Sequence, residues 1–268
     1  MNKIPIHFIL GFARTGTTLT MGLCRTHPAI ETDVQEPNHI FKLIDDIFLD
    51  YDGYEKEMGL DANIVHRMYF NSVRVFAEDF YTRLCKKTGK SVVVLKHPWL
   101  TRWIGRLAHT FPQAKFVVML RHPYDAIASA SHMSEQEVAK ELFGGTHNVR
   151  RISEQYIEAM TDVLKWLPEL EKAKRCILVK YEDLIEKPHE NLKKIFQFYG
   201  VDSEDAVIAE ILDKASKEQG SLKGVCLGVT SFYKPQDKWK NKLDEHQRQT
   251  IKSYVKPLVY RFDYDDGR

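Results

Sequence analysis

A glycine-bounded turn near the N-terminus has the residue types of an anion-binding site. The stretch Phe8–Thr18 reads FILGFARTGTT, in which Gly11 and Gly16 have the spacing of the phosphate-binding loop G-x-x-x-x-G-K-[ST]. Thr17 stands where that loop carries its lysine. Backbone N–H groups and the positive end of a helix dipole favour anions. Without the lysine, the turn is better suited to one terminal phosphate than to a triphosphate chain.

Cations accompany this turn and end two later apolar runs. Arg14 lies inside the turn, Lys96 ends VVVLK and Arg121 ends FVVMLR. Ser129 follows Arg121 by eight residues, two turns into a helix that Pro123 would start, so both side chains could reach a second phosphate. Since neither run ends in an aspartate that would bind magnesium, the pattern indicates charge neutralisation by protein side chains rather than by a metal.

The elements that must position these residues alternate between strands and helices. Short apolar runs rich in β-branched residues predict buried strands at 6–10, 91–96, 115–120 and 176–181. Helical patterns lie at 17–25, about 71–87, 99–110, 123–133 and 149–172, and the chain after 182 reads as helices. This order predicts a three-layer α/β fold around a mostly parallel sheet with right-handed crossovers. Its ligand crevice would lie beyond the carboxyl ends of the strands.

Composition limits the classes of function. The 268 residues are expected to form a single domain, 1–268, and the 39 basic against 37 acidic residues give no field that would attract nucleic acid. The N-terminal apolar run is too short for a signal peptide or a membrane span, which predicts a cytoplasmic protein. Four cysteines without a C-x-x-C pair and eleven histidines without ligand spacing predict reduced thiols and no metal site.

Together these motifs resemble the sulfotransferases that use 3′-phosphoadenosine 5′-phosphosulfate (PAPS). GFARTGTT is similar to the family's 5′-phosphosulfate loop, and RHPYDAIASASH to its 3′-phosphate motif. The stretches FPQAKFVVMLR, YEDLIEKPHENLKKIFQFYG and DKWKNKLDEHQRQTI follow in matching order, so the resemblance runs from about residue 6 to 262. It implies the sulfotransferase branch of the P-loop fold, PAPS as donor, adenosine 3′,5′-bisphosphate as product and no metal. The acceptor would be a hydroxyl or amine of a small molecule, lipid or carbohydrate.

The resemblance also implies which residues bind the donor. Those expected around the 5′-phosphosulfate are Arg14, Thr15, Gly16, Thr17 and Thr18. Arg121 and Ser129 would hold the 3′-phosphate, and Tyr181 would contact the nucleotide.

A late segment is expected to close over the donor. Trp239 and Lys240 in DKWKN match the family's closing loop. The R-K-G form of the cytosolic family members is absent, so Lys234 or Lys238 would take the place of its arginine.

Catalysis would be in-line displacement at sulfur. Arg14 and Lys96 are the cations expected to stabilise the leaving oxygen. For the general base, Glu36 in TDVQEP is favoured by a one-residue-offset match to the glutamate of tyrosylprotein-type members, with Glu31 as a fallback. His97 is the alternative, although a residue adjacent to Lys96 on a strand end points to the opposite face.

The sequence leaves two other functions open. A P-loop kinase using ATP and magnesium is opposed by Thr17 and by the Arg121–Ser129 pair. A silent nucleotide-binding module is less compatible with the combination of Arg14, Lys96 and Glu36. The acceptor pocket is expected in the loops 37–70 and 132–150, and the oligomeric state is left open.

Overall fold

The computed structural model describes residues 3–32, 62–132, 148–217 and 238–264, with side chains omitted at 62–66 and 238. Glu36 and Lys234 lie outside the described residues, as do the side chain of Lys238 and most of the predicted acceptor loops. The described chain is built around one sheet.

Five parallel strands form this sheet in the order β2-β3-β1-β4-β5. They are β1 (Ile6–Leu10), β2 (Ile30–Glu31), β3 (Val92–Lys96), β4 (Phe116–Leu120) and β5 (Cys176–Lys180). The four predicted strands and the parallel arrangement are confirmed to within one residue at each end. The sequence did not predict β2, which at two residues is too short to show a periodic pattern.

The strand register brings the predicted site residues to one edge of the sheet. Ile9 pairs with Lys96, so β1 and β3 end at the same level. Leu120 pairs with Lys180, which aligns the ends of β4 and β5. The residues that follow the four long strands therefore start their loops at a common edge, as the sequence predicted.

Helices cover both faces of the sheet. They are α1 (Thr17–Arg25), α2 (Ala62–Thr88), a 3₁₀ helix η1 (Pro98–Trp103), α3 (Ile104–Thr110), α4 (Pro123–Ser131), α5 (Val149–Lys172), α6 (Tyr181–Glu186), α7 (Pro188–Tyr199), α8 (Asp205–Lys217), α9 (Lys238–Lys242) and α10 (Glu245–Arg261). Two predicted helices, α1 and α5, have the predicted bounds. The predicted helix at 99–110 is divided into η1 and α3, and α2 begins nine residues before its predicted start.

Two hydrophobic cores lie on opposite faces of the sheet. Phe8 and Leu10 point into the core formed with α2, α3, α5 and α10. Ile9, between them, points into the core formed with α1, α7 and α8. Because β1, β3 and β4 are buried on both faces, their sequences are nearly continuous apolar runs, and the three-layer arrangement is confirmed.

The structure also bears on the expected reduced thiols and on the question of a membrane span. Cys24, Cys85 and Cys176 are buried free thiols. Burial raises the pKa of the Cys24 and Cys176 thiols to about 12, which leaves them protonated at neutral pH. No helix in the described ranges is long and apolar enough to cross a membrane.

Candidate active site

The loop between β1 and α1 folds back on itself within six residues. Its backbone is left-handed at Arg14 (φ 71°) and Gly16 (φ 94°). The backbone N–H and the hydroxyl of Thr15 both donate to the Phe12 carbonyl, over 3.2 and 2.7 Å. Since a left-handed conformation is costly at a non-glycine residue, the hydrogen bonds around Arg14 must hold it in place.

The start of α1 faces this loop without an acidic group. Gly16 is its N-cap, no side chain caps it among the described residues, and its first turn carries no carboxylate. Thr17 is buried, whereas Thr18 is half-buried. The first N–H groups of α1 and its dipole therefore present positive potential at the loop, as an anion site requires.

Arg14, Arg121 and Ser129 form one hydrogen-bonded group. Arg14 donates from Nε to Ser129 Oγ over 3.0 Å, across 115 residues of sequence. Arg121 donates from Nη1 to the Arg14 carbonyl over 3.0 Å. The arginine predicted for the 5′ group of the donor and the pair predicted for its 3′ group are thus in direct contact.

Tyr181 encloses the same group from the end of β5. The Arg121 guanidinium lies 4.8 Å from the centre of its ring. A Cβ added to Gly16 would stand 2.5 Å from Tyr181 Cδ2, so only glycine allows this approach. The sequence placed Tyr181 in a strand, but β5 ends one residue earlier and Tyr181 begins α6.

Two positively charged guanidiniums, those of Arg14 and Arg121, lie close together in this site, which is electrostatically unfavourable when no ligand is bound. Burial and, next, the charge of Arg121 lower the pKa of Arg14. Arg121 is 9% exposed, and its Nε is buried without a hydrogen-bond partner among the described residues. Two desolvated guanidiniums, one with an unused N–H, fit a ligand that carries more than one anionic group.

Lys96 and His97 follow one another at the end of β3. Both are buried, at 3% and 5% exposure. His97 is the N-cap of η1, and its Nδ1 accepts a hydrogen bond from the Trp99 N–H over 3.3 Å. The imidazole predicted as an alternative base is therefore engaged in ending the strand and starting the next turn. Glu31, the fallback base, lies in β2 paired with Val93.

The predicted closing segment packs on the helix that carries Ser129. Trp239 is 4% exposed, its ring centre lies 4.8 Å from that of Tyr124, and its backbone N–H donates to Asp125 Oδ1 over 3.3 Å. Lys240 is exposed, with its Nζ 5.5 Å from the Trp239 ring centre. Both residues thus lie near the start of α4, where Trp239 is a packing residue.

Two residues that sequence reasoning missed help to position the strand ends. Thr101 exchanges two hydrogen bonds with the backbone of Gly11. Glu182 accepts from the His122 N–H over 2.9 Å and from the Tyr264 hydroxyl over 3.2 Å, which links the ends of β4 and β5. Thr101 stands outside the quoted motifs, whereas Glu182 lies in YEDLIEKP directly after Tyr181, where its contacts with distant residues leave no local pattern.

Comparison with known proteins identifies the family. Residues 5–205 match the model of the Sulfotransferase family. Protein-tyrosine sulfotransferase 1 of Danio rerio is 25% identical over 272 residues, which cover 98% of this chain and 73% of that protein. A putative protein-tyrosine sulfotransferase of Caenorhabditis briggsae is 25% identical over 194 residues, or 71% of this chain and 64% of that protein. The chain belongs to the sulfotransferase family.

Solved structures agree on the fold. The sulfotransferase domain from the curacin biosynthetic pathway superposes with a TM-score of 0.66 at 18% identity, covering 98% of this chain and 99% of that one. Mouse sulfotransferase SULT7A1 complexed with PAP gives a TM-score of 0.59 at 16% identity, covering 97% of this chain and 85% of that one. The chain has the P-loop-like α/β fold of sulfotransferases.

Proposed function

We propose that this protein transfers the sulfuryl group of PAPS to a hydroxyl or amine of an acceptor by in-line displacement. The observation that carries the proposal is the hydrogen-bonded group of Arg14, Ser129 and Arg121 beside the uncapped start of α1. It joins two anion-binding elements in one site, and PAPS carries anionic groups at both its 5′ and 3′ ends. The structural neighbour described as complexed with PAP supports the same ligand class.

The donor would be bound by groups that the structure already orients. The N–H groups at the start of α1 and the Arg14 guanidinium would hold the 5′-phosphosulfate. The Nε–H of Arg121, which has no partner within the described ranges, and the Ser129 hydroxyl would hold the 3′-phosphate, and Tyr181 would flank the nucleotide. When bound, PAPS supplies a sulfuryl group on a phosphate leaving group.

Catalysis would depend on cations near the leaving oxygen. Arg14 and Lys96 are held by the loop after β1 and by the end of the neighbouring strand β3. Cations placed in advance where negative charge develops lower the barrier without reorganisation. Glu36 is the proposed general base, because the His97 ring is engaged as the cap of η1.

A cavity beside the loop is the proposed acceptor site. It is a small, partly open pocket between the loop after β1, η1 and α5. Phe12, Ala13, Pro98 and Trp99 line it with apolar surface, and Glu158 lies at the wall formed by α5. Ala13 precedes Arg14, and Pro98 follows Lys96 by two residues, so chain neighbours of both cations line the pocket. Its lining favours a ring-bearing or otherwise apolar carrier of the acceptor group, such as a small molecule, lipid or carbohydrate.

One binding experiment tests the proposed donor. Calorimetric titration of the protein with adenosine 3′,5′-bisphosphate, and separately with ATP and magnesium, is expected to show tight binding of the bisphosphate and weak binding of ATP. The reverse order would refute the sulfotransferase proposal in favour of a P-loop kinase. A panel of phenols, alcohols, tyrosine peptides and oligosaccharides with sulfur-labelled PAPS would then identify the acceptor. Cytoplasmic location stays a prediction.

A further inference from the structure

A single buried hydroxyl holds the start of the anion-binding loop. Thr101, in η1, is 0% exposed. Its Oγ1 accepts a hydrogen bond from the Gly11 N–H over 2.8 Å and donates to the Gly11 carbonyl over 3.0 Å. The hydroxyl therefore satisfies both backbone groups of Gly11.

The two hydrogen bonds between Thr101 and Gly11 extend the sheet beyond the point where β1 and β3 separate. Along β1, alternate residues bond to opposite neighbours: the Pro5 carbonyl accepts from Val93 beside β3, whereas the Phe8 N–H donates to Lys115 beside β4. By this alternation Gly11 faces the side of β3. The β1–β3 register ends where Ile9 pairs with Lys96.

Beyond that level β3 turns into η1, so its backbone no longer follows β1. The Thr101 hydroxyl takes the place of a backbone partner for Gly11. It is a side-chain substitute for one further step of the parallel ladder.

Gly11 is confined on its other sides as well. A Cβ added to Gly11 would lie 2.6 Å from the Met119 carbonyl oxygen and 2.6 Å from Thr15 Oγ1. The backbone at this point therefore has little room to move while the Thr101 bonds persist. Arg14 follows only three residues later, so the position of Gly11 sets where the Arg14 loop begins.

The same hydroxyl links the two proposed catalytic cations. Thr101 follows Lys96 by five residues and is carried by the helix that Lys96 and His97 lead into. If Arg14 and Lys96 are to act on one leaving oxygen, each cation must lie within about 0.5 Å of its productive position. We propose that Thr101 is a positioning residue for sulfuryl transfer, which sets the Arg14 loop against the end of β3; this inference rests on the function proposed above.

Substitution of the hydroxyl tests the proposal. Thr101→Val has the same shape but neither hydrogen bond, and is expected to lower kcat with a tyrosine peptide or 2-naphthol about tenfold to a hundredfold. KM for PAPS should change less than about threefold, because the α1 N–H groups, Arg121 and Ser129 remain. Thr101→Ser, which keeps the hydroxyl, should recover most of the lost turnover.

A second buried threonine provides the matched control. Thr110 is 1% exposed, and its hydroxyl donates to the Arg106 carbonyl over 2.8 Å, within α3. Thr110→Val also removes the hydrogen bond of a buried threonine but should leave kcat within about twofold of wild type. If Thr101→Val keeps wild-type kcat, or if both valine variants lose kcat equally, the positioning role is refuted.

A replacement variant keeps the experiment decisive if Thr101→Val is unstable. If Thr101→Val does not fold, Thr101→Cys replaces it, because the cysteine thiol is only a weak hydrogen-bond donor and cysteine is close to serine in size. Turnover of the cysteine variant should then be at least fivefold below that of Thr101→Ser, and equal turnover would refute the proposal.

Amide hydrogen exchange separates this inference from the proposed function. In Thr101→Val, the amides of Gly11–Gly16 should exchange at least tenfold faster than in Thr110→Val, whether or not PAPS is the donor. Failure of wild type to bind adenosine 3′,5′-bisphosphate would refute the function alone. Unchanged exchange in the loop would refute the positioning role alone.

Discussion

Arg14 and Ser129 are joined by a hydrogen bond of 3.0 Å between Nε and Oγ, although Arg14 lies in the loop after β1 and Ser129 in the helix α4. Through this bond, the element predicted for the 5′ group of the donor contacts the element predicted for its 3′ group. Any ligand that engages Ser129 will therefore affect the orientation of the Arg14 guanidinium.

Loss of the Ser129 hydroxyl should weaken donor binding. We expect Ser129→Ala to raise the Kd for adenosine 3′,5′-bisphosphate about tenfold, the size of effect expected for a hydrogen bond to a charged group. Calorimetry measures this change directly. Ser131→Ala is the control, since the Ser131 hydroxyl donates to the Ala128 carbonyl of the same helix. Equal Kd values for the two variants would contradict the assignment of Ser129.

Removal of the Arg14 charge should separate activity from stability. Arg14→Ala is expected to lower kcat about a hundredfold or more, by analogy with the loss of single stabilising donors at other active sites. The Tm of the ligand-free variant should be no lower than that of wild type, because burial and Arg121 already disfavour the Arg14 charge. Turnover assays and thermal unfolding measure the two effects. A large fall in Tm would show that Arg14 is mainly a structural residue.

Substitution of Gly16 should cost more than its backbone conformation alone explains. Gly16→Ala places a Cβ 2.5 Å from the Tyr181 ring at a φ of +94°. Gly89 has a similar φ of +72° with open space around it, so Gly89→Ala reports the left-handed penalty alone, about 1 kcal/mol. We expect Gly16→Ala to lose at least about 1 kcal/mol more in urea unfolding and to lose bisphosphate binding. Equal losses would mean that Tyr181 moves aside freely.

The identity of the base can be tested without loss of the η1 cap. Asparagine is a good N-cap residue, so His97→Asn should keep the cap and most of the turnover. Glu36→Gln should lower kcat about a hundredfold, the scale of general-base catalysis. Steady-state kinetics of the two variants decide between them. Near-normal turnover of Glu36→Gln with an inactive His97→Asn would reverse the assignment.

The stability of the protein should fall in mild acid because of a buried histidine. Burial and, next, the charge of Lys115 lower the pKa of His7 from 6.5 to about 4. Its Nδ1 accepts from the Lys115 N–H over 3.2 Å, and its ring stacks on Tyr199. A depressed histidine pKa means that the unfolded chain binds the proton more readily. The contribution of neutral His7 to the free energy of unfolding is therefore fully present above pH 6.5. It is lost between pH 6.5 and 4, which lowers the free energy of unfolding by about 3 kcal/mol.

Urea unfolding of His7→Asn between pH 4 and 8 measures this contribution. The variant should be less stable than wild type at pH 7 and should have a flatter pH dependence between pH 6.5 and 4. His109→Asn, at an exposed histidine, is the control. An unchanged slope in His7→Asn would assign the acid sensitivity to other groups, of which the buried His27 is the next candidate, since burial lowers its pKa as well.

Much of the fold could be predicted because its signals are local. A parallel strand covered on both faces is apolar at nearly every position, and the four long strands were found for that reason. Asn148, Pro123 and Gly16 mark the starts of α5, α4 and α1. The β2 strand is too short to show a pattern. The early start of α2 was missed because its first turns, ANIVHRMYF, include β-branched and aromatic residues that are weak helix formers.

The sequence by itself determined which residue types stand at the carboxyl edge of the sheet, since the strands and the residues after them are read from contiguous stretches. Only the tertiary structure decided how Arg14 meets Ser129 and how Thr101 meets Gly11, contacts that span 115 and 90 residues. Such contacts depend on the register of β1, β3 and β4, which is set by the packing of the whole sheet. A local pattern carries no record of its distant partner, so the residues that orient the site became visible only in the fold.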